Sequence, residues 1–233
     1  MSASQNNQSE EATQNSPAVF AAYARYYDLL YRDKDYAAEA EYVAGLIRKF
    51  HPSARSILEF GSGTGIHAFL LSEKGYEVTG VDLSPDMVKI ARSNALSFPQ
   101  SQSESQPVFS EGDICEVRLN KRFDAVIALF HVISYQTTNE DVTAAFETAR
   151  QHLNLGGIFI FDVWYGPAVL TERPAVRIKR MRNDQTEITR LAEPVLHLNE
   201  NLVSCQRYAV ISKESLRLRN LRFLPAVEMT LLD

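Results

Sequence analysis

Cysteine, tryptophan and long apolar runs are scarce in this sequence. Two cysteines occur, Cys115 and Cys205, with a single tryptophan. This argues against a disulfide scaffold and predicts buried free thiols in a reducing cytoplasm. The longest apolar stretch, residues 125–133, is interrupted by His131 and is far shorter than the roughly 20 residues of a membrane-spanning helix. Residues 1–17 lack the cationic start and apolar run of a secretory signal, and they predict a disordered tail.

An excess of positive charge is also missing. Lys and Arg total 24 against 29 Asp and Glu, which gives a net charge of −5. This balance argues against binding to nucleic acid or to an anionic membrane through the net charge of the whole chain. A hydrophobic fraction of 45% in 233 residues predicts a folded chain of one or two domains. A small-molecule substrate is the expected partner, and a homodimer is left open.

Short apolar runs alternate with segments of helical periodicity in the first two thirds of the chain. Strands are predicted at residues 56–60, 76–82, 108–109, 123–129 and 158–161. Helices are predicted at residues 36–50, capped by Asp35, at 66–74, from an N-cap at Ser84 onwards, and at 139–153, the last ended by Gly156 and Gly157. Because the strands are continuous apolar runs, we expect an α/β fold with a doubly wound, mainly parallel sheet.

After Pro174 the pattern changes to alternation of polar and apolar residues. Strands are predicted at residues 176–181, 187–191, 195–198 and 202–212, with turns at 182–184 and 199–201. We interpret this region as an antiparallel, strand-rich insertion or lid on the sheet.

The segment Glu59-Phe60-Gly61-Ser62-Gly63-Thr64-Gly65 joins a predicted strand to a predicted helix. Glycines permit a tight turn and the close approach of a ligand to the backbone, so a small molecule is expected to bind there. Asp82 ends the next strand, 21 positions after Gly61, and suits hydrogen bonds to the two hydroxyls of a ribose.

A nicotinamide oxidoreductase uses similar residues, but the spacing disfavours it. Its G-x-G-x-x-G loop would need a glycine at position 66, where the sequence has Ile66. Glu59, two residues before the first glycine, would repel a pyrophosphate and tolerate a cation.

The sequence resembles the class I S-adenosylmethionine-dependent methyltransferases. Five segments match that family in its own order: residues 57–65, 80–87, 111–114, 123–127 and 153–157. The resemblance implies a Rossmann-like fold and S-adenosyl-L-methionine as cofactor. It also implies cofactor contacts along the sheet edge, from Glu59, Gly61, Gly63, Gly65, Asp82, Leu83, Met87, Asp113, Ile114 and Phe130.

A closer resemblance is to the N,N-dimethyltransferases that act on nucleotide-linked aminosugars. It is carried by residues 27–31, 34–36 and 214–218. The sequence departs from that subfamily at Leu216, where a His is usual, at His131, where a Ser is usual, and at Trp164-Tyr165, where two Trp are usual. We expect a methyltransferase domain at 18–169, then an antiparallel substrate or lid region at 170–233 that ends in a helix at 224–232. Compared with the family, this region lacks the last strands, which would leave residues 158–161 at an exposed sheet edge.

Side chains that follow the fourth strand are expected to face the reacting methyl group. His131 and Tyr135 are the catalytic candidates, with a structural histidine and simple packing as the alternatives. The resemblance implies substrate contacts from Tyr31, Trp164 and Arg217. Asp162 is a candidate substrate or metal contact, but the histidines and acidic residues lack ligand spacing, so no metal is predicted.

These observations predict methyl transfer from S-adenosylmethionine to a nitrogen or oxygen atom of a small polar acceptor, an aminosugar nucleotide being one candidate. The alternative is a catalytically weak or inactive cofactor-binding module of the same fold.

Overall fold

A computed structural model describes residues 26–98, 105–182 and 187–211. Two units can be separated: the continuous segment Asp33–Trp164, and the chain that precedes and follows it. The predicted tail at 1–17, the segment 214–218, Arg217 and the helix predicted at 224–232 lie outside the described residues. The domain boundaries drawn from the sequence stay predictions.

The continuous unit contains a five-stranded parallel sheet in the order β3-β2-β1-β4-β5. The strands are β1 (Ser56–Phe60), β2 (Glu77–Asp82), β3 (Val108–Glu111), β4 (Phe123–Ala128) and β5 (Leu153–Phe161). The strand order reverses direction between β1 and β4, and the carboxyl ends of these two strands border the crevice where ligands bind in open parallel sheets. The predicted α/β fold is confirmed.

The helix α1 (Tyr36–Phe50) precedes β1, and three helices connect strands of the sheet: α2 (Ile66–Ser72), α3 (Pro85–Ser97) and α4 (Asn139–His152). The predicted N-caps are confirmed, because the side chain of Asp35 accepts a hydrogen bond from the amide of Ala38, and that of Ser84 from the amide of Met87. Each cap satisfies an amide that has no partner inside its helix.

Apolar residues cover both faces of the parallel sheet. Ile57 packs in the layer that includes α1 and α2, whereas its neighbour Leu58 packs in the opposite layer, which includes α4. Ala125 and Val126 divide between the two layers in the same way. This double burial explains why the strands read as continuous apolar runs rather than as alternating ones.

Two sequence predictions around β5 and the cysteines were wrong. Gly156 and Gly157 do not end α4, which stops at His152, but lie within β5. The register between β4 and β5 shifts between Phe123 and Ala125, so the glycines mark an irregularity in the strand. Both cysteines are partly exposed rather than buried. As predicted, β5 lies at the edge of the sheet, and it pairs with β4 alone among the described residues.

The second unit contains an antiparallel sheet of β6 (Arg177–Arg182), β7 (Glu187–His197) and β8 (Leu202–Ile211). A short helix, α5 (Gly166–Thr171), precedes it. The two strands predicted between 187 and 198 form one strand with Pro194 inside it. The proline is tolerated because β6 pairs with β7 only as far as Ala192, so no hydrogen bond to β6 is lost at Pro194. No helix in the described ranges is long and apolar enough to cross a bilayer.

Truncation of Leu58 tests this packing. Leu58 is fully buried in β1, so Leu58→Ala should lower the free energy of unfolding by roughly 2–5 kcal/mol through lost burial and a cavity. The matched control is Leu96→Ala in α3, where the side chain is 87% exposed and the loss should be below about 0.5 kcal/mol. Equal losses in urea titrations of the two variants would contradict the assignment of β1 to the core.

Candidate active site

The glycine loop between β1 and α2 has a left-handed backbone at each of its three glycines. A methyl group on Gly61 would lie 2.4 Å from a side-chain carbon of Val132, and one on Gly65 would lie 2.6 Å from the ring of Phe109. Packing therefore excludes side chains at both positions. Gly63 differs, because a methyl group there would meet open space, which leaves the backbone accessible to a ligand.

Glu59 lies at the carboxyl end region of β1, and its side chain is 2% exposed. Its Oε2 has no hydrogen-bond partner among the described residues. Burial, with a smaller contribution from the charge of Asp82, raises the pKa of the Glu59 carboxyl to about 8. A buried carboxylate without a partner is costly, and a cationic ligand group would offset that cost.

Asp82 links the glycine loop to the start of α3. Its carboxylate accepts hydrogen bonds from the amide of Gly63 at 2.8 Å and from the amide of Ser84 at 2.9 Å. Each oxygen keeps a further lone pair that a hydroxyl could use. Because the Gly63 amide already donates to Asp82, it is not free to bind a phosphate. This agrees with the spacing of the glycines, which also disfavours a dinucleotide. Burial raises the pKa of Asp82, although the two amide bonds oppose this.

The residues predicted to hold a purine ring differ in exposure. Leu83 is 68% exposed and Met87 is partly buried, so the two side chains present a solvent-accessible apolar surface close in sequence to Asp82. Ile114 is buried in the core layer on the α4 side of the sheet, whereas Asp113 is exposed. One oxygen of Asp113 accepts from the amide of Cys115 at 2.8 Å, which fixes the carboxylate at the start of its turn.

The two residues after β4 both have left-handed backbones, with φ of 61° at Phe130 and 65° at His131. Such conformations are strained for residues other than glycine and concentrate at functional sites. The sharp turn they produce begins a 3-10 helix, Val132–Tyr135. It places the ring of Phe130 5.7 Å from that of His131, centroid to centroid.

His131 and Asp162 form a close pair across the ends of β4 and β5. The ring Nδ1 of His131 lies 2.7 Å from Oδ2 of Asp162, although the contact is not aligned as a hydrogen bond. The backbone amide of His131 donates to both carboxylate oxygens at 3.1 Å. Burial raises the pKa of Asp162, but the close imidazole of His131 and the bonds from its amide outweigh burial, so the pKa is lowered and the carboxyl is ionised at neutral pH.

Trp164 also lies at this place. Its ring packs edge-on against that of His131, with centroids 6.0 Å apart, and its amide donates to the hydroxyl of Ser134. Tyr135 ends the same 3-10 helix and is 42% exposed. Tyr31 belongs to the other unit, where its ring stacks on Tyr27 and its hydroxyl lies 3.3 Å from the guanidinium of Arg190.

Three charged or titratable residues of the continuous unit were not predicted for the site. Lys34 and Glu39 flank the start of α1, and His67 lies in the first turn of α2. His67 comes two residues after the last glycine of the loop, a position that could have identified it. No sequence pattern pointed to Glu39.

Comparison with known proteins agrees with this geometry. Residues 57–157 match a family model described as a methyltransferase domain. The chain is 32% identical over 175 residues to dTDP-3-amino-3,4,6-trideoxy-alpha-D-glucopyranose N,N-dimethyltransferase of Streptomyces venezuelae, covering 74% of this chain and 70% of that protein. The chain belongs to the class I S-adenosylmethionine-dependent methyltransferases.

Solved structures show the same fold in this family. Streptomyces venezuelae DesVI superposes with a TM-score of 0.73 at 28% identity, covering 87% of this chain and 83% of that one. The S-adenosylmethionine-bound amino pentose methyltransferase CalS10 of Micromonospora echinaspora superposes with a TM-score of 0.63 at 22% identity, covering 96% and 83%. The methyltransferase uses S-adenosylmethionine. The buried Glu59, whose Oε2 has no hydrogen-bond partner among the described residues, and the accessible Gly63 fit a cationic cofactor.

A pair of glycine variants tests the role of the loop. Gly63 and Gly75 both have positive φ and open space in front of them, so Gly63→Ala and Gly75→Ala should each lose about 1–2 kcal/mol of stability through backbone strain. Only Gly63→Ala should weaken S-adenosylmethionine binding in calorimetry, by about tenfold or more, because its methyl group enters the cofactor space. Equal affinities of the two variants would contradict this placement.

Proposed function

We propose that this methyltransferase acts on the amino nitrogen of a small acceptor of the aminosugar nucleotide class. The His131–Asp162 pair carries the proposal, since it provides a base where an acceptor would meet the methyl donor. The activity of the Streptomyces venezuelae relative, N,N-dimethylation of a dTDP-aminosugar, supports the same class of acceptor.

An amine acceptor has to lose a proton, because alkyl amines are protonated near neutral pH and the ammonium form has no lone pair. The ionised Asp162 favours the tautomer of His131 with a proton on Nδ1, which leaves Nε2 free to accept a proton. The side chain of His131 is 38% exposed, so Nε2 is accessible to an acceptor. His131 therefore acts as general base, and Asp162 orients it.

S-adenosylmethionine supplies a methyl group bound to a positively charged sulfur, ready for in-line displacement. The protein contributes by holding the nucleophile in line and keeping water out. We assign the positioning of the acceptor to Trp164, whose ring packs against that of His131. Tyr135, the other catalytic candidate, ends the 3-10 helix that starts after His131, and we assign its hydroxyl to the same role. Tyr31 and Arg217 remain proposed substrate contacts.

The site geometry supports an assignment of the cofactor contacts. We assign the methionine end to Glu59 and to the backbone of the glycine loop, and the ribose hydroxyls to the free lone pairs of Asp82. The adenine ring would pack on Leu83, Met87 and Ile114, with its amino group donating to Asp113. Phe130 closes the methionine end.

The choice of acceptor atom is tested with matched substrates. A dTDP-linked aminosugar and its analogue with a hydroxyl in place of the amine would be incubated with the protein and S-adenosylmethionine. Mass spectrometry should show added methyl groups on the amine and none on the hydroxyl analogue. Methylation of the hydroxyl analogue alone would contradict N-methylation.

The role of His131 is tested through the pH dependence of turnover. His131→Asn, in which the new residue tolerates the left-handed backbone, should lower kcat by about 10²- to 10⁴-fold at neutral pH. The loss should shrink as pH rises toward the pKa of the acceptor amine, because a neutral amine needs no base. His51→Asn, at the end of α1, is the control and should keep full turnover. A loss of the same size at every pH would show that His131 is not the base.

A further inference from the structure

A chain of ionisable side chains lies behind Glu59 and has no part in the assignments above. Lys34 forms an ion pair with Glu39, and Oε2 of Glu39 lies 2.8 Å from Nε2 of His67. The other ring nitrogen of His67, Nδ1, lies 3.8 Å from Oε1 of Glu59. The imidazole thus stands between one carboxyl group that is buried and one that is 44% exposed.

Aromatic rings enclose the far end of this chain. The ammonium of Lys34 lies 4.5 Å from the ring centre of Tyr36 and 4.2 Å from that of Phe130. The Lys34 side chain is only 14% exposed. Tyr36 also packs edge-on against His67, with ring centroids 5.1 Å apart. Water therefore screens Lys34 and His67 little, whereas it screens the more exposed Glu39 to a larger extent.

The protonation of His67 follows from its neighbours. Burial lowers the pKa of His67, so the imidazole is neutral near pH 7. The hydrogen bonds from Lys34 and His67 outweigh burial at Glu39 and lower its pKa, so Glu39 is ionised. Ionised Glu39 accepts the Nε2–H of His67. A neutral imidazole carries one proton, so its Nδ1 is bare where it faces Glu59.

We propose that Lys34, Glu39 and His67 are positioning residues that set the ionisation of Glu59 and thereby couple S-adenosylmethionine binding to pH. The bare Nδ1 of His67 favours the protonated form of Glu59 in the free protein, and the Lys34–Glu39 pair holds His67 in that tautomer. A cation bound in front of Glu59 displaces its proton. The inference rests on the proposed placement of the cofactor's cationic end at Glu59.

Other charges face these groups and act in known directions. Asp82 raises the pKa of the Glu59 carboxyl, to which burial contributes more. Asp162 favours the charged form of His67, against the larger effect of burial. By the sign of its charge, Lys34 should stabilise an ionised Glu59, and Glu39 should oppose that ionisation. Removal of the Lys34 charge should therefore raise the pKa of Glu59, whereas removal of the Glu39 charge should lower it.

Two substitutions test this opposition. In the wild type, affinity for S-adenosylmethionine should rise with pH and level off near pH 8, as Glu59 ionises. Glu39→Gln should move the midpoint of this rise to lower pH by about 0.5–1 unit. Lys34→Met, which keeps the length of the side chain, should move it upward by a similar amount. Calorimetry over a range of pH measures both.

Glu41→Gln is the matched control, because Glu41 lies in the same helix and also pairs with a lysine, Lys74. It should leave the midpoint unchanged. Midpoints that stay at the wild-type pH in both test variants, or that move in the same direction, would overturn the proposal. If wild-type affinity does not depend on pH and Glu59→Gln binds as tightly, the placement of the cofactor fails, and the coupling fails with it.

A measurement on the cofactor-free protein gives an independent readout. Long-range ¹H–¹⁵N spectra at pH 7 should show His67 as a neutral imidazole with its proton on Nε2. A proton on Nδ1, or an imidazolium, would overturn the proposed chain. Glu39→Gln should weaken this tautomer preference, because a neutral amide oxygen accepts the Nε2 proton less strongly than a carboxylate does.

Discussion

A carboxyl group enclosed in the protein at the end of the central strand is the constraint around which this site is organised. Glu59 is buried, and its Oε2 has no partner among the described residues. Burial of an acid in this way stabilises its neutral form and makes its ionisation dependent on a neighbouring cation. The glycine loop begins two residues later and leaves space in front of Gly63. Beside an accessible backbone, the protein therefore has a carboxyl group that ionises when a cation lies next to it.

A second constraint lies where β4 ends. The left-handed turn at Phe130 and His131 is costly for two residues with large side chains. It is stabilised by the bonds from the His131 amide to Asp162 and by the packing of Trp164 on the His131 ring. Because the backbone turns at these two residues instead of continuing as an extended strand, the imidazole of His131 lies at the carboxyl edge of the sheet. The proposed cofactor contact at Glu59 and the proposed base at His131 therefore lie near the carboxyl ends of two neighbouring strands, β1 and β4.

Most of the fold could be predicted from the sequence because burial on both faces leaves a strong signal. The first four strands, the caps at Asp35 and Ser84, and the glycine loop occur close to the expected residues, whereas the fifth strand begins five residues earlier than predicted, at Leu153. The error at Gly156 arose because glycine signals both helix ends and strand irregularities, and only pairing with β4 distinguishes them.

The site was less predictable, since its contacts join residues distant in sequence. His131 and Asp162 are 31 positions apart, and His67 and Glu39 are 28 apart. No local pattern reveals such pairs. Residues that follow strands could be assigned to the site because parallel strands end at one edge of the sheet, where ligands bind. Lys34 and Glu39 flank the start of a helix, and no such rule places a helix start at a ligand site.

The central claim is that Glu59 is protonated in the free protein and ionised when the cofactor binds. Calorimetry of S-adenosylmethionine binding at pH 7, repeated in buffers of different ionisation enthalpy, counts the protons released. With the Glu59 pKa near 8, the wild type should release about one proton per bound cofactor, and Glu59→Gln should release none. The same proton count in both proteins would contradict the account.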